Sequence, residues 1–405
     1  MTKEKRTYES KSKMSSLKLT SLLEVTKAIN NNASIKELLQ TFEHILKNQL
    51  NIGKLALYNF NTKWECILTY GLNKDFSLID AEKDLLKFKE ISIVDDKLHN
   101  MFEVIIPVYH KQHPLAFVLI GDLDDDKLEL SPVIKHLPFI QTLTNVIIVA
   151  IENKRLYKEA IKQIAYKKEM ELASQMQNML FPESLPKNES LNFDAIYLPH
   201  QEVGGDYYDF IWINENEFVF CIADVSGKGL AAALLMSNFQ ANLRTLTTHT
   251  NNLTNLIIEL NTKVMASAKG EKFITLFVAS YNINTRTLKY INAGQNPPIL
   301  LQDKSVTLLR DGCTGLGMFD ELNSIQAAEI QLKPNSLLFC YTDGIIETEN
   351  ENNEYFGIQR LTTILKQFQE KKPEEINKEL ISSIIKFKGT KGYTDDIAVF
   401  LGRIT

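Results

Sequence analysis

Four aspartate-bearing segments constrain this chain more than any other feature: Glu202-Val203-Gly204-Gly205-Asp206, Asp224-Val225-Ser226-Gly227-Lys228-Gly229, Tyr341-Thr342-Asp343-Gly344 and Thr394-Asp395-Asp396. Phe218 to Ala223 is an apolar run that leads straight into Asp224, and Leu337 to Tyr341 leads in the same way to Thr342 and Asp343. A strand fixes where the carboxylate at its end sits, and glycines let backbone carbonyls and amides approach an ion closely. Taken singly, each aspartate could cap a turn, hold a loop or start a hairpin. Four of them, with no matching basic partners nearby, point to a shared cation site. Carboxylates gathered at sheet ends repel one another unless cations neutralise them, and oxygen-only ligation suits Mg²⁺ or Mn²⁺.

The 405 residues predict two or three domains. With 44% hydrophobic and 23% charged residues the chain has the composition of a soluble globular protein. A net charge of −5 supplies no basic face for nucleic acid. Cys66, Cys221, Cys313 and Cys340 are scattered without a CxxC pair, which argues for reduced, buried thiols and against a zinc site or disulfide framework. Met1 to Lys13 lacks the apolar segment of a signal peptide. The run Val146 to Ile151 is far shorter than the ~20 residues that span a bilayer. These features predict a cytoplasmic protein with no membrane partner.

Residues 1–15 are rich in Lys, Ser, Thr and Glu and read as a flexible tail. From Leu17 apolar residues recur at helical spacing, and Ser34-Ile35-Lys36-Glu37 reads as a capping box opening a second helix. Strands are predicted at Leu55 to Phe60, Glu65 to Tyr70, Phe102 to Tyr109 and Leu115 to Ile120, the last two flanking a His110-to-Pro114 turn. His110 and His113 read as turn residues rather than metal ligands. Asp122 to Asp126 lacks the glycine and closing glutamate of a calcium loop and reads as a solvated loop. This order of elements, over residues 16–152, resembles a GAF-type sensor domain, which implies an unidentified small ligand; a PAS-type sensor would give a similar outline.

From about Pro138 to Phe181 helix breakers are almost absent. Val146, Ala150, Tyr157, Ile161, Ile164, Leu172, Met176 and Met179 keep three- and four-residue steps, apart from one polar heptad around Lys167 and Lys168. That pattern suits a helix that pairs with a second copy, making residues 153–185 a coiled-coil linker and the protein a homodimer. A helix lying against its own domains would satisfy the pattern equally well. Such a helix between a sensor and an enzyme can transmit a rotation or register change.

Residues 186–405 alternate strand and turn. Strands are predicted at Phe193 to Tyr197, Tyr207 to Ile213, Phe218 to Asp224, Phe273 to Asn282, Thr287 to Asn292, Ile299 to Gln302, Leu337 to Tyr341 and Ile397 to Gly402. Helices are predicted at Leu230 to Thr247, Leu253 to Ala268, Arg360 to Gln369 and Pro373 to Phe387. Strands interrupted by helix pairs imply an α+β domain, a two-sheet sandwich flanked by helices.

Together the segments Glu202 to Asp209, Asp224 to Gly229 with Ala231, Ala232 and Met236, Asn292-Ala293-Gly294 with Pro297-Pro298, Tyr341 to Gly344 with Glu347, and Asp395-Asp396 resemble the SpoIIE/RsbU type of PPM phosphatase, a bacterial relative of protein phosphatase 2C. The likeness runs over about residues 170–403, and Gln175 to Pro182 is similar to the family's entering helix. It implies an αββα sandwich, a protein-serine/threonine phosphatase activity and two Mn²⁺ or Mg²⁺ ions. By motif, Asp224 corresponds to the carboxylate bridging both metals, with the Val225 carbonyl as a further ligand. Asp343 and Asp395 correspond to ligands of one ion, Asp206 to a ligand or water-mediated contact of the other, and Asp396 stands beside the ligand position. Asp224 and Asp343 would act catalytically through a metal-activated water. Lys228 and Gly229 stand where substrate phosphate would approach, although a turn lysine need face only solvent. Gln295 replaces a histidine common in the family, which leaves open the detail of the substrate loop. Gly315-Leu316-Gly317-Met318 keeps the expected turn.

The resemblance implies a phosphorylated signalling protein as substrate, with a STAS-type anti-sigma-factor antagonist favoured. A non-catalytic scaffold on the same fold would show missing metal aspartates, and none is missing. Hydrolysis of a small phosphorylated metabolite is the other alternative, because the loops carry no readable substrate code.

Overall fold

The computed structural model describes residues 3–72, 79–94, 102–121, 132–250, 252–303 and 305–405. The chain divides into two compact units, 1–165 and 166–405.

In the first unit, helix α1 (Lys3–Asn30) begins inside the segment expected to be a flexible tail. The reason is local: residues 3–30 contain neither Gly nor Pro and are rich in Lys, Glu and Leu, all good helix formers. Helix α2 (Ile35–His44) opens on the expected box: the Ser34 hydroxyl accepts from Glu37 N at 3.2 Å, and Ser34 N donates to the Glu37 carboxylate at 2.6 Å. Strands β1 (Lys54–Phe60), β2 (Trp64–Tyr70), β3 (Ser92–Ile93), β4 (Val104–His110) and β5 (His113–Gly121) form an antiparallel sheet of order β2-β1-β5-β4-β3. Pairing persists to His110 opposite His113, so the expected five-residue turn shrinks to Lys111-Gln112, with Lys111 at φ +54°. Both histidines are exposed at the hairpin tip. Asp122 to Asp126 lies outside the described residues. The sheet has two apolar faces, as the period-2 pattern requires: Leu55, Leu57, Ile106 and Val118 pack with Phe42 and Ile147, while Ala56, Tyr58, Phe117 and Leu119 pack with Leu85 and Phe102. Cys221 and Cys340 are buried as expected, but Cys66 is exposed on β2.

Helix α3 (Pro132–Asn178) runs for 47 residues, so the expected linker of 153–185 is the later part of a single helix that starts at Pro132 and stops short of Phe181. Its apolar stretch is long and apolar enough to cross a membrane by length and composition, beyond what the short run at Val146 suggests, and half of that stretch is buried within the protein. Val146 and Ala150 pack with Ile140, Leu143 and Ile147 in the first unit's core. Leu156, Tyr157, Ile161, Ile164, Leu172 and Met176 are exposed. The early part of the stripe is therefore consumed at home and the later part is bare.

The second unit contains β6 (Leu191–Leu198), β7 (Tyr207–Asn214), β8 (Glu217–Val225), α4 (Leu230–His249), α5 (Leu253–Ala268), β9 (Ile274–Asn282), β10 (Thr287–Ala293), β11 (Ile299–Gln302), β12 (Ser305–Leu308), β13 (Gly312–Cys313), β14 (Ala328–Gln331), β15 (Ser336–Tyr341), α6 (Asp343–Ile346), α7 (Gly357–Phe368), α8 (Pro373–Lys388) and β16 (Ile397–Ile404). One sheet has the order β13-β10-β9-β8-β7, with β14 also on β10; the other has the order β12-β11-β15-β16-β6. Alternation along β8 shows how the layers arise. Phe218, Phe220 and Ile222 face the second sheet, where Phe220 stacks on Phe400 at 5.4 Å. Val219, Cys221 and Ala223 face α4 and α5 through Met236, Phe239 and Leu260. The second sheet's outer face, with Leu337, Phe339 and Val399, is covered by Leu361 and Leu365 of α7 and Ile376 and Leu380 of α8. The layers are helix, sheet, sheet, helix, the expected sandwich. Strands β12, β13 and β14 and the short α6 were not foreseen. The strands are two to four residues long with exposed or half-buried side chains, and α6 is a single turn that buries Gly344 and Ile345; all are too brief to leave a periodic signal.

Candidate metal centre

The pairing of the strands brings the four aspartate segments to one end of the sandwich. In the first sheet Tyr207 lies opposite Ala223, so Asp206, just before β7, and Asp224, near the end of β8, share an edge. In the second sheet Tyr341 lies opposite Val399, so Asp343 after β15 neighbours Asp395 and Asp396 before β16. Thr342 joins the sheets. Its amide donates to Ala398 O at 3.1 Å, its hydroxyl accepts from Ala398 N at 2.8 Å, and that hydroxyl donates to the Asp206 carboxylate at 2.6 Å. Asp396 adds a second tie, accepting from His200 N and Gly205 N at 2.7 Å each. The glycines here are steric necessities: a Cβ on Gly204 would sit 2.2 Å from Asp396 Oδ2, and one on Gly344 would sit 2.0 Å from Asp396 O.

Crowding shows in the proton affinities. Asp206 is 1% exposed, and burial, then the neighbouring charge of Asp224, raise its pKa well above the usual carboxyl range. Burial and the Asp343 charge push Asp224 up to about 7, against a hydrogen bond from Asp206 that works the other way. Asp343 is pushed up to about 6 by burial, then by Glu347 and Asp395. Burial raises Asp396, offset in part by its two backbone donors. Each raised value records a carboxylate that burial first, and acidic neighbours second, make costly to ionise, a cost that a dication would offset. Among the described residues no group of His, Cys, Asp or Glu is already closed to the geometry that grips an ion. The donors are nonetheless of the right kind: carboxylate oxygens, with Val225 O within 2.8 Å of where a Gly205 Cβ would stand.

Residues 214–405 match the family of Stage II sporulation protein E (SpoIIE). The match covers a little under half of the chain. The matched span holds Asp224, Asp343, Asp395 and Asp396; Asp206 precedes it. Protein IcfG of Synechocystis sp. is 28% identical over 240 residues, 52% of this chain and 38% of that protein. Phosphoserine phosphatase RsbU of Bacillus subtilis is 27% identical over 239 residues, 58% of this chain and 70% of that protein. Phosphoserine phosphatase RsbP of the same organism is 28% identical over 187 residues and 46% of its own length. The chain thus spans well under two thirds of IcfG and RsbP. Among solved structures, the SiaA-PP2C domain of Pseudomonas aeruginosa superposes with a TM-score of 0.55 at 17% identity, covering 61% of this chain and 100% of that one. That likeness shows the PP2C fold.

Around the site several residues take partners that the sequence did not reveal. Gln177, in the last turn of α3, donates to Gly204 O at 2.7 Å and accepts from Gly204 N at 3.2 Å, which fixes the loop before Asp206. Asp209 does not face the aspartate cluster. It is buried, accepts from Tyr207 Oη at 2.5 Å and pairs with Arg244 of α4 at 2.8 and 3.0 Å. Gln295, expected in a substrate loop, is buried between the sheets: it accepts from the Thr275 hydroxyl, opposite Asp224, and donates to Tyr341 O at 3.4 Å. The expectation that no basic partner stands nearby is also corrected, because Lys228 Nζ lies 2.8 Å from Asp395 Oδ2. Gly229, at φ +70°, is the turn that starts α4. The one signal that could have revealed Gln177 is its place one turn before the helix-ending Phe181-Pro182. Asp209, Gln295 and Lys228 take partners too far along the chain for any local pattern to show.

Proposed function

We propose that this chain is a divalent-metal-dependent phosphatase of phosphoserine and phosphothreonine on a signalling protein. The observation that carries the reading is the convergence of Asp206, Asp224, Asp343 and Asp395 at one end of the sandwich, where burial and crowding raise the proton affinity of the first three. The SpoIIE match and the names of the two Bacillus subtilis relatives support it.

Asp206, Asp224, the Val225 carbonyl, Asp343 and Asp395 would hold two Mn²⁺ or Mg²⁺ ions, Asp224 between them and Asp396 beside them. When bound, such a pair supplies Lewis acidity and brings the pKa of a water toward neutrality. The chain's own contributions are positional. Thr342 holds Asp206 and the Gly205 amide holds Asp396 by hydrogen bonds, which fixes where those two carboxylates stand. Four carboxylates roughly balance two dications, so a dianionic phosphate ester is not repelled. The scattered cysteines supply no nucleophile motif. The first unit, read as a GAF-like sensor with its own small ligand, would tune turnover through α3, whose bare stripe suits pairing with a second copy. A STAS-type antagonist is the favoured substrate, and the cytoplasm the favoured location.

The direct test is Mn²⁺-dependent phosphate release from phosphoserine and phosphothreonine peptides. Asp224→Ala should keep its circular dichroism spectrum and lose turnover by at least a hundredfold, about 2.7 kcal/mol of transition-state stabilisation. Near-normal Mn²⁺-dependent activity in that variant refutes the reading.

A further inference from the structure

The five aspartates do not share positive charge evenly. Asp206, Asp224 and Asp396 are raised in pKa, with burial as the first cause, and among the described ion pairs none reaches them. Asp395 is different. The Lys228 ammonium stands 2.8 Å from its Oδ2 and also donates to Thr394 O at 2.5 Å, so backbone and side chain of the same segment hold it. The same ammonium acts on Asp343, pulling against the crowding that raises it.

The loop is shaped for this reach. Gly227 at φ +88° and Gly229 at φ +70° flank Lys228, and that curl carries its side chain from the end of the first sheet to the segment preceding β16, 166 residues on. Lys228 and Asp395 are each part-exposed, with side chains 43% and 33% accessible. The pair can therefore open without unfolding anything, and its strength is that of an exposed ion pair. A dication and an ammonium drawn to one carboxylate repel each other, so each loosens the other's hold on it.

We propose that Lys228 is a tethered counter-cation that competes with a divalent metal for Asp395, so that filling the metal position at Asp343 and Asp395 and releasing the lysine are one event. This rests on the metal-centre reading above. The lysine would weaken cation binding on that side of the site while leaving the Asp206 side untouched, giving two unequal affinities.

The test is a calorimetric Mn²⁺ titration of the full chain at constant pH and low ionic strength, with thermal melts to check folding. Wild type, Lys228→Gln, Asp395→Asn and the double variant are compared. Lys228→Gln should bind the weaker Mn²⁺ about two- to fivefold more tightly, the range expected of an exposed ion pair. In the Asp395→Asn background the same substitution should change nothing further, since the competitor then has no carboxylate to occupy. Equal or weaker Mn²⁺ affinity in folded Lys228→Gln overturns the proposal while leaving the metal centre standing. Absence of Mn²⁺ binding by the wild-type chain removes the metal centre and this inference together.

Discussion

At the scale of single residues, the site is a set of acids that the fold has made reluctant to ionise. Asp224, at about 7, and Asp343, at about 6, hold their protons more tightly folded than unfolded, where a carboxyl titrates near 4. Protonation between those limits favours the folded metal-free chain. That contribution is complete below about pH 4 and is lost as pH rises through 6 to 7. The metal-free protein should therefore show this part of its stability falling from pH 5.5 to 8, and Mn²⁺ should stabilise it more at pH 8 than at 5.5, because cations compete with protons for the same oxygens. Melting curves with and without Mn²⁺ at the two pH values check this; equal Mn²⁺ shifts at both would contradict it. Asp206, Asp224 and Asp343 were legible in the sequence because they stand after an apolar strand or a pair of glycines, and Asp395 and Asp396 because they stand just before an apolar strand. The counter-charge was not: Lys228 meets Asp395 and Arg244 meets Asp209 only through the folded sandwich, and chain spacing carries no trace of either.

At the scale of elements, most strands and helices of the second unit fall within a few residues of where periodicity puts them. Helix α5 keeps its predicted bounds, and α8 starts at its Pro373. The misses have physical causes. Short edge strands bury too little to be patterned, and α1 extends through a polar segment because nothing in it breaks a helix. The element with most leverage is the end of α3. Gln177 occupies both backbone groups of Gly204, itself buried, next to the amide that holds Asp396. Gln177→Ala leaves a buried donor and acceptor without partners, which costs about 1–3 kcal/mol. It should lower the melting temperature and weaken Mn²⁺ binding severalfold, whereas Gln177→Glu should recover the bond to Gly204 N only. Unchanged Mn²⁺ affinity in Gln177→Ala would show that the helix end is indifferent to the site.

At the scale of the molecule, the chain divides into two compact units at a position that the sequence pattern does not mark. The division falls within α3, after Ala165, because a continuous helix offers no composition shift to mark it. The stripe left bare from Leu156 to Met176 and the sensor reading of the first unit can be tested in one comparison. The full chain should run as a dimer in light scattering and differ from a chain beginning near Glu169 in its rate of phosphate release, with the shorter chain monomeric. A monodisperse full-length monomer removes the pairing, and equal rates remove the regulation.

The hydroxyl of Thr342 spans the gap between the sheets to reach Asp206. Half a sandwich therefore cannot keep half a working centre: a fragment ending before β15 would leave Asp206 and Asp224 facing solvent with no opposing pair. Chemical competence in this chain should then be an all-or-none property of the assembled sandwich, vanishing as soon as the two sheets slip apart, even while each sheet keeps its own strands in register.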